Sequence, residues 1–166
     1  TRLLTEEAEL DATLYEYPVD VPGRLALSPA RCPFERLARA KTAGAADRFE
    51  QQLTAAAISH DVVLVDTPPI GGNQAIAAVN EADRVAIVTP DTPRGRDGLA
   101  LAHERLGDIG VSADAVVANR STDEVIEADA YIPESEIVAT RECPACLPVT
   151  TEFTPAVAEI LQTALD

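Results

Sequence analysis

Lysine is almost missing from this chain of 166 residues: Lys41 stands against twelve arginines and twenty-eight acidic residues. The net charge of −15 argues strongly against direct binding of nucleic acid, because that function needs a basic face for the phosphates. The acidic residues are dispersed rather than gathered into a tail, so the charge belongs to the whole surface. Dispersed acid with so little lysine is typical of cytoplasmic proteins of salt-loving archaea, and we expect such an origin.

Long apolar runs and a disulfide framework are missing as well. No stretch approaches the length of about 18 residues that a membrane-spanning helix requires, and no signal peptide opens the sequence. Three cysteines is an odd number, which argues against a set of structural disulfides. These absences predict a soluble, cytoplasmic protein with no membrane partner. We expect residues 1–166 to form a single domain.

A phosphate-binding glycine-rich loop is the third missing feature. The pattern GxxxxGK[ST] does not occur, and Lys41 has no glycines before it to build a cradle of backbone N–H groups. A loop of this kind works through those N–H groups together with the charge of its lysine. Residues 1–166 therefore contain no sequence signal for holding the phosphates of a nucleotide.

The most informative segment that is present covers residues 60–69, HDVVLVDTPP. Its four consecutive apolar β-formers predict a strand at residues 61–66 that is buried on both faces of a parallel sheet. Asp66 would stand at the carboxyl end of that strand, where open α/β sheets bind their ligands. With Thr67 beside it, this carboxylate is suited to hold Mg²⁺ through its water shell. The alternative is that Asp-Thr-Pro-Pro simply ends a strand.

Strand and helix signals alternate along the rest of the chain. The hydrophobic patterns and turn residues predict the following elements: an edge strand within 13–19, a strand at 24–28, two helices within 34–58 that break near Gly44, a helix at 73–82, a strand at 84–89, a helix from Thr92-Pro93 to Ile109 closed by Gly110, a strand at 113–118 and a last helix from Thr154-Pro155. This alternation favours an α/β fold with a doubly wound, mostly parallel sheet and helices on both faces.

The order of four motifs resembles the MinD/ParA family of P-loop ATPases, whose phosphate loop is a deviant Walker A sequence. The motifs are HDVVLVDTPP, the segment RVAIVTPDTPRGRDG with its helix, AVVANR, and IPESEIV before a closing helix. The resemblance covers roughly residues 25–165, which is the C-terminal two-thirds of such a protein. It implies a P-loop NTPase-like sheet that lacks the P-loop strand.

The resemblance implies roles for six residues. Asp66 matches the Walker B aspartate that positions Mg²⁺ and the attacking water, and Thr67 follows it in the site. Asn119 matches the asparagine that recognises adenine, with Arg120 next to it. Pro133 and Glu134 match the loop that closes over the base. Without the family context, the alternative for Asn119 is a helix-start or turn asparagine after a strand.

The family's first strand, its glycine-rich loop and the aspartate after its second strand do not occur within residues 1–166. We therefore expect either that the domain is incomplete at its N-terminus or that the chain is a degenerate relative. With the loop upstream, the family predicts an ATP-dependent dimerising switch, which is a homodimer using ATP/ADP and Mg²⁺. Residues 1–166 are expected to have no ATPase activity by themselves. The alternative function is a non-catalytic interaction module with a degenerate nucleotide site.

Cys143 and Cys146 form a CxxC motif before the last helix. Paired thiols at this spacing can ligate zinc or an iron–sulfur cluster, or act as a redox pair. Relatives that hold a cluster with a CPxC carry it before the IPxx segment, whereas in this chain it follows that segment. Structural thiols are therefore favoured over a metal site, and an iron–sulfur carrier stays open as a third function.

Overall fold

The computed structural model describes residues 2–6, 8–17, 23–30, 33–122, 124–135 and 153–165. The chain divides into two compact units, Thr1–Glu81 and Ala82–Asp166. Within the described ranges, no helix has both the length and the apolar character needed to cross a membrane.

The described elements of the first unit are mostly helical. They are α1 (Arg2–Thr5), a 3₁₀ turn (Leu10–Thr13), β1 (Tyr15–Tyr17), β2 (Leu25–Leu27), α2 (Phe34–Ala40), α3 (Ala43–Ser59) and α4 (Asn73–Glu81). The strands β1 and β2 pair in antiparallel fashion, with Tyr15 opposite Leu27. The predicted strand at 24–28 and the edge strand within 13–19 are thus confirmed as a two-stranded ribbon.

The two predicted helices within 34–58 are confirmed, and they separate at Lys41 and Thr42, close to the predicted break near Gly44. Thr42 has an extended backbone, and its hydroxyl oxygen accepts a hydrogen bond from the N–H of Ala45 at 3.3 Å. This N-cap satisfies a backbone donor that no helical carbonyl can reach. Gly44 lies inside the first turn of α3, where a glycine is tolerated.

Small side chains let α3 and α4 approach each other closely. Ala56 of α3 and Ala75, Ala77 and Ala78 of α4 are all buried. At the start of α4, the side-chain amide of Asn73 donates to the carbonyl oxygen of Lys41 at 3.1 Å. The helix prediction for 73–82 is confirmed, and its packing explains why this stretch is rich in alanine.

The strand predicted at residues 61–66 is not found. Residues 62–68 form neither helix nor strand, and no described strand pairs with them. Val62 and Leu64, predicted to be buried, expose 51% and 73% of their surface. The prediction was wrong because β-forming side chains make a strand only when a neighbouring strand completes the hydrogen-bond ladder.

The described elements of the second unit alternate between strand and helix. They are β3 (Ala86–Pro90), α5 (Pro93–Asp108), β4 (Ala115–Ser121), β5 (Ala130–Pro133) and α6 (Phe153–Leu165). The three strands form a parallel sheet in the order β3-β4-β5, with Val88 beside Val117 and Val117 beside Ala130. Helix α5 packs on β3, and α6 packs on β5. The described chain is therefore mixed α/β with a parallel sheet, in agreement with the coarser part of the fold prediction.

Helix α5 begins and ends as its sequence predicts. The hydroxyl oxygen of Thr92 accepts a hydrogen bond from the N–H of Gly95 at 3.0 Å, and Pro93 occupies the first turn, where its missing N–H is harmless. At the other end, Gly110 has a φ of +76°, and the N–H of Val111 donates to the carbonyl of Leu106 at 3.0 Å. This is a Schellman motif, in which glycine adopts the left-handed conformation at least cost.

Candidate site at the carboxyl edge of the parallel sheet

Four of the predicted site residues lie together at one edge of the sheet. Asn119 and Arg120 are near the carboxyl end of β4, while Pro133 ends β5 and Glu134 follows it. Asn119 pairs with Ile132 in the strand register. Because β4 and β5 are parallel, both present their carboxyl ends at the same edge, which is where α/β sheets bind ligands.

The ladder between β4 and β5 contains an irregularity at this point. The register shifts between Asn119 and Ser121, and Arg120 has a left-handed φ of +57°. The side-chain oxygen of Asn119 accepts a hydrogen bond from the N–H of Arg120 at 2.9 Å. A bulge of this kind bends a strand and re-aims its side chains, and such bulges are frequent beside functional sites.

Asn119 keeps part of its hydrogen-bonding capacity for a ligand. It is half-buried, and its side-chain NH₂ group has no partner among the described residues. An asparagine amide can contact adenine in a bidentate manner, with the NH₂ group donating to N7 and the oxygen accepting from N6. Its oxygen has two lone pairs, of which Arg120 uses one. The geometry is thus compatible with recognition of an adenine base.

A buried carboxylate that the sequence analysis missed lies beside this bulge. Asp91 follows β3 directly and exposes only 7% of its surface. Its side chain accepts a hydrogen bond from the hydroxyl of Ser121 at 2.5 Å and one from the N–H of Ile126 at 2.8 Å. The backbone N–H of Asp91 donates to the carbonyl of Asn119 at 2.9 Å.

The surroundings of Asp91 favour its charged form. The hydrogen bond donated by Ser121 lowers the pKa of the Asp91 carboxyl below its ordinary value. Burial acts in the opposite direction, but the backbone N–H groups of Ile126, Val125 and Glu124 lower the pKa further. The net result is a carboxyl group with a lowered pKa, which loses its proton more readily in the folded protein than a free aspartate does. One sequence signal could have revealed it: Asp91 stands shortly after the apolar β-formers of residues 85–88, separated from them by Thr89 and Pro90.

The loop between β4 and β5 is held by side chains rather than by a helix. The hydroxyl of Tyr131 donates to the carbonyl of Ile126 at 2.9 Å and accepts from the N–H of Ala128 at 3.2 Å. Ile126 is buried, and a nitrogen of the Arg96 guanidinium donates to the carbonyl of Val125. A loop this close to the core needs partners for its backbone groups, and these side chains supply them.

Asp66 and Thr67 belong to the first unit, where Asp66 is exposed and Thr67 is half-buried. Among the described residues, no three His, Cys, Asp or Glu side chains cluster as ligands for a metal ion. Mg²⁺ is usually held by one or two carboxylates together with substrate phosphates, so the role of Asp66 toward Mg²⁺ stays a prediction. Cys143 and Cys146 lie outside the described residues.

We find no family model, no curated protein and no solved structure that matches this chain.

Proposed function

We propose that this chain is an adenine-nucleotide-binding protein of the MinD/ParA type. The observation that carries the proposal is the grouping of Asn119, Arg120, Pro133 and Glu134 at the carboxyl edge of the parallel sheet. The four motifs that occur in the family's order support it independently of that geometry. In this proposal the described sheet belongs to a larger doubly wound sheet in a halophilic, cytoplasmic protein.

Asn119 has the central role in the proposed recognition of the base. Its NH₂ group has no partner among the described residues, and together with the remaining oxygen lone pair it offers one donor and one acceptor, which match N7 and the exocyclic amine of adenine. Guanine presents an oxygen instead of that amine, so the same asparagine would discriminate against it. Pro133 offers an apolar surface beside the base, and the exposed Arg120 and Glu134 lie at its rim.

The proposed cellular role is an ATP-dependent switch that forms a homodimer. The switch requires a phosphate-binding loop in addition to residues 1–166, because these contain no GxxxxGK[ST] pattern. Asp66 would then act on the phosphate side of the reaction. Adenine recognition needs no such loop, so it can be tested on residues 1–166.

Binding of ATP and GTP to the wild-type chain and to Asn119→Ala, measured by NMR titration in molar KCl, tests the proposal. We expect weak binding with a preference for ATP, and Asn119→Ala should reduce that preference about 10-fold because a bidentate base contact is lost. Asn80→Ala is the matched control, since Asn80 is exposed on α4. Equal affinities of the wild-type chain for ATP and GTP, or no binding at all, would refute the proposal.

A non-catalytic interaction module is the second candidate function. It is favoured by residues 62–65, a run of four apolar side chains that are all exposed. Contiguous exposed apolar surface is a mark of sites that bind other proteins. Absence of nucleotide binding together with self-association that Leu64→Ser abolishes would support the module instead.

A further inference from the structure

We propose that Asp91 is the positioning residue of the Asn119 site, an inference that rests on the proposed function. Its buried carboxylate fixes the bulge at Arg120 and the loop that follows it, so that the Asn119 amide keeps one orientation at the sheet edge. Asp91 contacts no ligand in this proposal. It acts through its neighbours.

The first support is the number of contacts that Asp91 makes around the bulge. Its backbone N–H holds the carbonyl of Asn119 on one side of Arg120, and its carboxylate holds the hydroxyl of Ser121 on the other. A left-handed conformation at a non-glycine residue such as Arg120 is unfavourable and persists only where neighbouring contacts determine it. Asp91 supplies such contacts on both sides.

The second support is the way in which β4 connects to β5. Parallel neighbours are usually joined by a dozen or more residues that include a helix, whereas only residues 122–129 join these two strands. The described residues of this loop, 122 and 124–129, contain no helix, so their backbone donors need other partners. Asp91 accepts from the N–H of Ile126, which is the buried centre of this loop. A single carboxylate thereby connects the bulge to the crossover.

Three variants separate positioning from a general structural role. Asp91→Ala removes both acceptors. Asp91→Asn keeps an oxygen for the Ile126 N–H and can donate its NH₂ group to the Ser121 hydroxyl, so it preserves the geometry without the charge. Leu106→Ala is the matched control, because Leu106 is fully buried in the same unit at the opposite end of α5.

The first readout needs no ligand: the side-chain NH₂ signals of Asn119 and the hydrogen exchange of the Ile126 amide, both followed by NMR in molar KCl. In Asp91→Ala we expect the Asn119 side chain to rotate among several orientations, so that its NH₂ signals are averaged over them. The Ile126 amide hydrogen should exchange about 10-fold faster. Asp91→Asn should stay close to the wild-type chain. Leu106→Ala should leave the Asn119 signals unchanged even where it lowers the melting temperature as much as Asp91→Ala.

The second readout is the preference for ATP over GTP. Asp91→Ala should lose that preference about as completely as Asn119→Ala, whereas Leu106→Ala should keep it at temperatures where it is folded. Three results would overturn the positioning role. The first is unchanged Asn119 signals in Asp91→Ala. The others are the same changes in Leu106→Ala as in Asp91→Ala, or the same loss of nucleotide preference in Asp91→Asn as in Asp91→Ala. A wild-type chain without any nucleotide preference refutes the proposed function instead, and the ligand-free readout still decides whether Asp91 orients Asn119.

Discussion

The Oδ1 atom of Asp91 lies 2.8 Å from the backbone N of Ile126, although the two residues are 35 positions apart in the chain. This buried hydrogen bond connects the end of β3 to the loop that follows β4. The pKa of Asp91 is lowered chiefly by the hydrogen bond from Ser121, with burial opposing it and the backbone donors of the loop adding to it. The folded protein consequently holds the proton less tightly than the unfolded chain does at this position.

The lowered pKa of Asp91 predicts a pH dependence of stability with a defined sign. Its stabilising effect is complete above the unfolded value of about 3.9 and is lost as the pH falls through the folded-state value. We expect the free energy of unfolding to decrease more steeply as the pH falls below about 5 in the wild-type chain than in Asp91→Asn. Urea titrations at constant KCl, followed through the Ile126 amide signal, measure this in the second unit by itself.

Asp97→Asn is the control for that experiment, because Asp97 is an exposed aspartate on α5. This variant should follow the wild-type pH dependence. If Asp91→Asn also follows it, the hydrogen-bonded carboxylate is not the source of the effect.

Local signals in the sequence predicted the ends of α5 correctly because the residues responsible are neighbours. Thr92, Pro93 and Gly110 act on backbone groups within one turn, so their effect can be deduced without knowing the rest of the fold. The break before α3 was predicted near Gly44, whereas the helices separate at Lys41 and Thr42, which the sequence analysis did not name as the break. Thr42 separates the two helices because it caps the start of α3.

The conformation of residues 62–65 and the contacts of Asp91 could not be predicted from the sequence. The apolar run has strong β-forming side chains, yet a strand depends on a partner elsewhere in the chain, and the run itself carries no information about that partner. The role of Asp91 depends on Ser121 and Ile126, which are about thirty positions away. Asn119 was singled out through its place in a motif, but the register shift beside it was not predicted.

The dispersed negative charge predicts a dependence on salt. At about 0.1 M salt the Debye length of about 10 Å lets the exposed carboxylates repel one another, whereas at molar salt this repulsion is largely screened. The melting temperature should rise steadily from about 0.1 M to about 3 M KCl. A variant with four exposed acids changed to amides should show a weaker rise: Glu35→Gln, Asp97→Asn, Glu104→Gln and Asp108→Asn. A flat response of the wild-type chain would contradict the halophilic origin.

Alanine substitutions at two glycines of α5, Gly95 and Gly98, should change the stability of the protein in opposite directions. A Cβ atom at Gly95 would overlap the carbonyl oxygen of Pro90, whereas a Cβ at Gly98 would meet no atom within 4 Å. Gly95→Ala should therefore destabilise the protein by about 1–3 kcal/mol, because β3 and α5 must separate. Gly98→Ala should stabilise it by up to about 1 kcal/mol, because alanine is the better helix former. Urea denaturation in molar KCl measures both, and equal effects at the two positions would contradict the close contact at Gly95.

ATP hydrolysis is the final test, and we expect none from residues 1–166. Phosphoryl transfer depends on positioning and on neutralising the charge of the phosphates, which a glycine-rich loop and its lysine usually provide. Neither occurs in this sequence, and no group of three or more His, Cys, Asp or Glu side chains among the described residues could hold a metal ion. Phosphate release in molar KCl with Mg²⁺ should equal the buffer background for the wild-type chain and for Asp66→Ala alike. Turnover above background that Asp66→Ala abolishes would show that residues 1–166 bind the phosphates by another route.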